Sequence, residues 1–396
     1  MQRVSNAKAR PLLTAYQSHP IPFHKPNLGS TDRLALLEAF DAGEIGGGGS
    51  VGREVEKRLQ ALFQVNNALL MTNCSHSLEM ALLIAGVSPG DEVLVPSFTF
   101  ASCANAIVLR GAIPVFVEVA ADTMTIDPAD IEHRITPRTK AIMPVHYAGV
   151  AADLDPIMEI AAHHNLIVIE DAAQGVDAKY KGHYLGTIGH MGAYSFHSTK
   201  NITCGEGGAF LTSNAEFARH AEIIHEKGTN RAAFLRGESD KYSWVSVGSS
   251  YVLSDLLAAL LNSQLDQMNA IRARRQAIDS HYRAGLADLE AAGLLQIGRI
   301  PHYAESNYHI FYVLLKDRVI WEETYSAMRE QGVQATFHYV PLDTAPFGQQ
   351  IRPAGYADLT RTNDLAGRLL RLPIYPDLSD DEVDYVIEAM HRALGQ

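Results

Sequence analysis

The stretch Ile167-Val168-Ile169-Glu170-Asp171-Ala172-Ala173-Gln174 is a short apolar run that ends on two acids. With Leu166 it carries no polar alternation, the pattern of a strand buried on both faces in a parallel sheet covered by helices. Open sheets of this kind bind ligands beyond the carboxyl ends of their strands, so the run aims Asp171 at a pocket. An aspartate after a strand is also an ordinary way to start a helix.

Outward from this run the same grammar repeats. Val55, Leu59, Leu62 and Phe63 form one helical stripe, followed by the apolar run Ala68–Met71, a helix over about 77–85 and a Pro89-Gly90 turn. Strands are expected at Val93–Val95, Val115–Val117 and Ile142–Val145, and Asp155-Pro156 reads as N-cap and N1 of another helix. Past a long helix over 254–282 the pattern changes. Tyr308–Leu315 and Val333–Tyr339 read as strands, Trp321–Gln331 and Asp381–Leu394 as helices, the last opened by the capping-box spacing Ser379/Glu382. The expected fold class is therefore α/β, a large domain with a mostly parallel sheet plus a smaller C-terminal α+β domain. The divisions are an N-terminal arm over 1–25, the large domain over 26–262 and the small domain over 263–396. The glycine run Gly46–Gly49 reads as a mobile loop.

Composition narrows the function. The 396 residues carry 33 Lys+Arg against 45 Asp+Glu, a net charge of −12, which argues against nucleic acid or an anionic membrane as the main partner. Cys74, Cys103 and Cys204 form no CxxC pair, and His163-His164 is the only adjacent histidine pair, so no metal site is expected. Arg3, Lys8 and Arg10 raise the question of a targeting peptide, but the apolar run Leu12-Leu13 is too short for one. No stretch is long enough to span a membrane, and the expected location is the cytoplasm.

Three segments carry the chemistry. In Ser195-Phe196-His197-Ser198-Thr199-Lys200-Asn201 a lysine sits on an irregular turn, and Gly205-Glu206-Gly207-Gly208 after it permits close approach of a ligand. Lysine forms a Schiff base with an aldehyde, and Asp171 can pair with a protonated pyridine nitrogen; together they suit pyridoxal phosphate (PLP). Thr72-Asn73-Cys74-Ser75-His76-Ser77 joins a strand to a helix, where free amides and a positive dipole suit a phosphate. A solvated lysine and a routine capped turn are the ordinary alternatives for the last two.

In this order and spacing, Asp171, Gln174, Ser195 and Lys200 resemble the sugar aminotransferases of the DegT/DnrJ/EryC1/StrS family, from about Pro22 to the C-terminus. The resemblance implies the fold type I, aspartate-aminotransferase-like architecture, with residues 26–262 as the PLP-binding domain. It implies Lys200 as the Schiff-base lysine, Asp171 at the pyridine nitrogen, Gln174 at the phenolic oxygen, and Ser195, Ser75 and the His76 amide at the phosphate. Phe100 falls where the family stacks an aromatic on the cofactor. Ser250 stands where many members use an asparagine from a second subunit. His338 and Tyr339 resemble the substrate-side loop, although Asp343 replaces the histidine that often follows.

The strings Val145-His146-Tyr147-Ala148-Gly149, Glu226–Arg231, Asp240-Lys241-Tyr242 and Gly248–Tyr251 are similar to the branch that makes dTDP-4-amino-4,6-dideoxy-D-galactose. That branch implies dTDP-4-dehydro-6-deoxy-D-glucose as acceptor, L-glutamate as donor, Tyr147 at the substrate, and a homodimer with shared active sites. A C3-keto or UDP-linked sugar is the alternative substrate. A sugar 3-dehydratase would carry histidine in place of Lys200, and a non-catalytic regulator would have lost the Asp-Gln-Lys set.

Overall fold

The computed structural model describes residues 16, 19–43, 45–352 and 356–395; most of the expected N-terminal arm, with Arg3, Lys8, Arg10 and Leu12-Leu13, lies outside them. Nine strands precede the long helix Asp255–Gly285: β1 (Asn67–Met71), β2 (Glu92–Pro96), β3 (Ile113–Val117), β4 (Thr139–Ile142), β5 (Ile167–Asp171), β6 (Lys179–Tyr180), β7 (His183–Tyr184), β8 (Met191–Ser195) and β9 (Gly208–Thr212). Four follow it: β10 (Leu295–Ile297), β11 (Ala304–Glu305), β12 (Phe311–Leu315) and β13 (Leu369–Leu372).

The main sheet has the order β1-β9-β8-β5-β4-β2-β3. Its pairings are parallel from β8 through β5, β4 and β2 to β3, and β9 alone runs against its neighbours. Successive strand residues serve opposite faces. Val168 joins one core cluster with Leu94, Val117 and Leu211, while Ile169 joins the other with Val93, Phe116 and Phe210. Both faces are covered, which is why β5 is apolar without alternation. The carboxyl ends of β1, β2, β5 and β8 share one edge, and Thr72, Ser97, Asp171 and Ser195 meet there.

The second sheet, β10-β12-β13, is antiparallel. It shares a core with the helices Arg318–Glu330 and Asp380–Ala393. The Ser379/Glu382 capping box forms: Ser379 Oγ accepts from the Glu382 amide at 3.2 Å, and Glu382 Oε2 accepts from the Ser379 amide at 2.8 Å. The long helix ties the two cores together, contributing Leu265, Met268 and Ile271 to the first and Ile278 and Tyr282 to the second. The expected boundary at 262/263 thus falls inside a continuous helix.

Several local expectations are corrected. The helix Leu154–His164 starts from Asp153, so Asp155 lies within the first turn, where its carboxylate pairs with Lys181. β4 ends at Ile142, and Val145 makes an isolated parallel bridge to Asp171. Val333–Tyr339 is no strand but a segment with two bridges, Ile21↔Val333 and Thr336↔Arg371. Tyr308 has φ 55°, and β12 begins only at Phe311. The Gly46–Gly49 turn is anchored: Asp255 Oδ1 accepts from the Gly49 amide and Oδ2 from the Val51 amide, both at 3.1 Å. A Cβ on Gly47 would lie 2.8 Å from the Leu253 carbonyl oxygen, so glycine here serves close packing. Among the described residues no helix is long and apolar enough to cross a membrane.

Candidate active site

β8 delivers Ser195 to the sheet edge, and the chain returns to β9 through a turn that folds on itself. Phe196 N donates to Gly207 O at 2.8 Å, Ser198 N to Gly205 O at 2.8 Å, Cys204 N to Phe196 O at 2.9 Å and Lys200 N to His197 O at 2.9 Å. Gly205 has φ 89°, a conformation side chains disfavour. The Asn201 side chain donates to Asn307 O at 2.9 Å, tying the turn to the segment before β12. Lys200 is therefore presented from a fixed backbone into a cavity of about 760 Å3. Burial lowers its pKa; the nearby Cys74 and Asp171 oppose that, and Arg371 adds to it.

Asp171 ends β5 on the same cavity wall and is 5% exposed. Its Oδ1 accepts from the Ala173 amide at 2.9 Å and its Oδ2 from the Cys103 thiol at 2.8 Å. Its neighbour Glu170 points the other way, accepting from His146 Nε2 at 2.9 Å and from the Gly186, Ile188 and Gly189 amides. Strand alternation separates the two acids into one facing the cavity and one securing the sheet. Gln174 accepts from the Ala148 amide at 2.6 Å and donates to Tyr339 Oη at 2.9 Å.

The turn after β1 lies opposite. Helix Cys74–Ile84 starts there, and Gly208 at the head of β9 makes room for it: a Cβ on Gly208 would come within 2.6 Å of the Cys74 nitrogen. Cys74, Ser75 and Ser195 line the cavity, and Ser75 Oγ is 2.6 Å from Ser102 Oγ. The His76 amide, expected at a phosphate, instead donates to its own helix cap, Asn73 Oδ1, at 2.8 Å, and the His76 ring packs beside Tyr251. That leaves the first-turn amides of Cys74 and Ser75 at the positive end of the helix.

Phe100 is 60% exposed on the cavity wall, where its ring is open to a ligand. His338 and Tyr339 line the cavity and stack on each other at 3.6 Å between ring centroids. Tyr147 does not line it: fully buried, it meets His338 Nδ1 through its hydroxyl at 2.7 Å and packs edge-on to Tyr339, so it stands behind those two rings. Asp343 is buried as well, accepting from Ser97 Oγ at 2.5 Å, away from the cavity wall. Ser250 is exposed, bridges Glu226 and lies outside this chain's cavity. Among the described residues no cluster of three acids, histidines or cysteines is placed to hold a metal ion.

Several cavity residues escaped the reading from sequence, four of them aromatic or basic. Phe23 and His24 come from the N-terminal segment, His309 from the approach to β12, and Arg371 from β13. Of these, Arg371 left a signal, a charge inside the apolar run Leu369-Leu370-Arg371-Leu372. The donor set fits a pyridine cofactor with an aldehyde and a phosphate: a lysine, a carboxylate fixed by two donors, an exposed aromatic, and a helix N-terminus flanked by serines.

The profile of the DegT/DnrJ/EryC1/StrS aminotransferase family matches residues 26–391. The spore coat polysaccharide biosynthesis protein SpsC of Bacillus subtilis is 34% identical over 384 residues, 94% of this chain and 97% of SpsC. Among solved structures, S. venezuelae DesV, in complex with a ketimine intermediate, superposes with a TM-score of 0.84 at 31% identity, covering 97% of each chain. Spr1654 of Streptococcus pneumoniae, in its PLP-form, superposes with a TM-score of 0.86 at 26% identity, covering 95% of this chain and 99% of its own. With a profile match along nearly its whole length and a relative at this identity, the chain belongs to the DegT/DnrJ/EryC1/StrS aminotransferase family.

Proposed function

We propose that this sugar aminotransferase uses PLP held by Lys200 to move an amine from L-glutamate to the C4 ketone of dTDP-4-dehydro-6-deoxy-D-glucose, giving dTDP-4-amino-4,6-dideoxy-D-galactose. The observation that carries the reading is the meeting of Lys200 and Asp171 in one cavity. A relative solved in a PLP-form and another named for polysaccharide biosynthesis support it.

When bound, PLP supplies an aldehyde that takes up the amine and a ring that draws electrons from the carbon bearing it. Asp171 keeps the ring nitrogen protonated and is itself held by Cys103 and the Ala173 amide. Phe100 would cover the ring, Ser75, Ser195 and the helix N-terminus would hold the phosphate, and Gln174 would serve the phenolic oxygen. Lys200, its ammonium disfavoured by burial and its amine freed once the donor's amine takes its place, would accept on Nζ the proton that leaves the α-carbon of the donor and, in the second half-reaction, give a proton to C4 of the sugar. His338, oriented by Tyr147, and Tyr339 face the sugar.

Ser250 belongs in the cavity of a second copy, since it lies outside its own. The exposed apolar side chains of the preceding segment, Phe234, Leu235, Tyr242, Trp244 and Val247, are what such a copy would cover.

Offering the loaded protein dTDP-4-keto, UDP-4-keto and C3-keto sugars in turn, and reading each product by proton NMR, tests the substrate. The dTDP-4-keto sugar should be consumed fastest, with a small H3–H4 coupling that marks the axial amine of the galacto product. Faster turnover of another sugar, or a large coupling, overturns the assignment.

A further inference from the structure

The segment Leu369-Leu370-Arg371-Leu372 forms β13, and its alternation decides where the charge goes. Leu370 and Leu372 belong to the core of the small sheet, so Arg371 takes the other face, the one Leu369 shares with Phe98 and Tyr147. There it lines the cavity. Its Nε and Nη2 both donate to the Phe337 carbonyl, at 3.2 and 3.0 Å, and its Cζ lies 4.4 Å from the centre of the Phe23 ring. The guanidinium is thus held from two sides, yet among the described residues no carboxylate pairs with it.

That makes it unlike every other basic group on the wall. Burial holds His309 and His338 well below the ordinary histidine range and lowers His24, so these rings are neutral at physiological pH. His197 is 3.4 Å from Glu206. Lys200 is committed to the cofactor. Arg371 keeps its charge as guanidinium does in proteins, and lies near enough to Lys200 to act on its pKa. An unpaired fork close to the reacting lysine suits a carboxylate attached to the carbon that loses its proton. The diphosphate of a nucleotide sugar fits less well, because it hangs from the anomeric carbon, several bonds from the ketone.

We propose that Arg371 binds the α-carboxylate of the amino-acid donor and so selects amino acids over simple amines in the first half-reaction. The proposal rests on the aminotransferase reading of the same cavity.

The test uses PLP-loaded wild type, Arg371→Gln and Arg371→Lys. L-Glutamate, the keto-sugar and n-propylamine are titrated against each, and 2-methylglutamate, which has no α-proton to lose, is titrated by its effect on the visible spectrum without turnover. Loss of a charge-assisted pair should raise half-saturation by L-glutamate and by 2-methylglutamate about 10–150-fold in Arg371→Gln. The lysine variant, with charge but no fork, should fall between. Half-saturation by the sugar and the rate with propylamine should stay within about threefold of wild type. If Arg371→Gln loses the cofactor band, Arg371→Lys alone decides, on the same split between donor and sugar. Unchanged glutamate and 2-methylglutamate titrations, or a shift on the sugar side instead, overturn the proposal while leaving the aminotransferase reading intact. A wild type that never responds to glutamate removes both.

Discussion

The Cys103 thiol donates to Asp171 Oδ2 at 2.8 Å, while Thr99 Oγ1 lies 3.2 Å from the same sulfur. A buried thiol is thereby enlisted to hold the acid proposed to pair with the cofactor ring. Burial pushes the pKa of Cys103 well above the ordinary thiol value, with the Asp171 charge adding to it, so the sulfur keeps its proton and remains a donor. Cys103→Ala should leave the cofactor bound and lower kcat/KM by less than about tenfold, the worth of one ordinary hydrogen bond. Asp171→Asn removes the charge itself and should cost at least about 100-fold. Steady-state kinetics on the two variants checks the ranking; equal losses would show that the thiol does more than position the acid.

Lys200 sets a pH dependence. Its pKa is lowered from the ordinary 10.5, so the neutral amine that accepts a proton becomes abundant at lower pH than in a free lysine. The half-reaction between pyridoxamine-phosphate-loaded protein and the keto-sugar, in which this amine is free, should accelerate as pH rises and level off below 10.5. A stopped-flow pH profile checks this, and an inflection at or above the ordinary lysine value contradicts it.

Glu56 gives a stability prediction. It lies on helix Ser50–Phe63, where its Oε1 accepts from the Leu70 amide at 2.9 Å, and burial raises its pKa from 4.5 to about 7, against the Leu70 amide and Arg53. Between those two values the folded state holds a proton that the unfolded chain has released, so this group's contribution falls as pH rises across the window and stays low above it. Glu56→Gln keeps an acceptor for Leu70 and removes the titration. It should stabilise the protein at pH 8 by up to about 3 kcal/mol and give no advantage at pH 4, as read by urea unfolding.

Gly208→Ala tests the joint between β9 and the helix N-terminus. The added methyl would meet the Asn73 carbonyl carbon at 2.5 Å and the Cys74 nitrogen at 2.6 Å, both backbone atoms that cannot swing away. The expected cost is about 1–3 kcal/mol of stability, together with weaker retention of PLP on dialysis, because the displaced turn carries Cys74 and Ser75. Full stability with unchanged retention would show that the turn does not hold the phosphate.

Much of the site was legible because it is local. Asp171, Gln174, Ser195 and Lys200 lie within thirty residues at the ends of two neighbouring strands, so strand-end position alone brings them to one edge. His309 was not legible, and Arg371 showed only as a charge inside an apolar run, because both reach the cavity only once the second sheet closes over it, and the run alone does not say that its charged face meets the main sheet. Tyr147 shows the opposite limit: the sequence marks it as belonging to the site but cannot distinguish the ring on the wall, His338, from the one behind it. The Gly46–Gly49 turn misleads because its anchor, Asp255, lies some two hundred residues away. Asp155 misleads because a Pro-preceding acid looks like an N-cap whichever turn it occupies.

The most direct test of the central claim is the visible absorption spectrum of the PLP-supplied protein beside Lys200→Ala, before and after L-glutamate and then the keto-sugar. Wild type should show a band above the ultraviolet that fades with glutamate and returns with the sugar, while Lys200→Ala should show no such lysine-dependent band and lose about 100-fold or more in turnover. An identical band and cycle in the variant, or no band in the wild type, would contradict Lys200 as the residue that holds the cofactor.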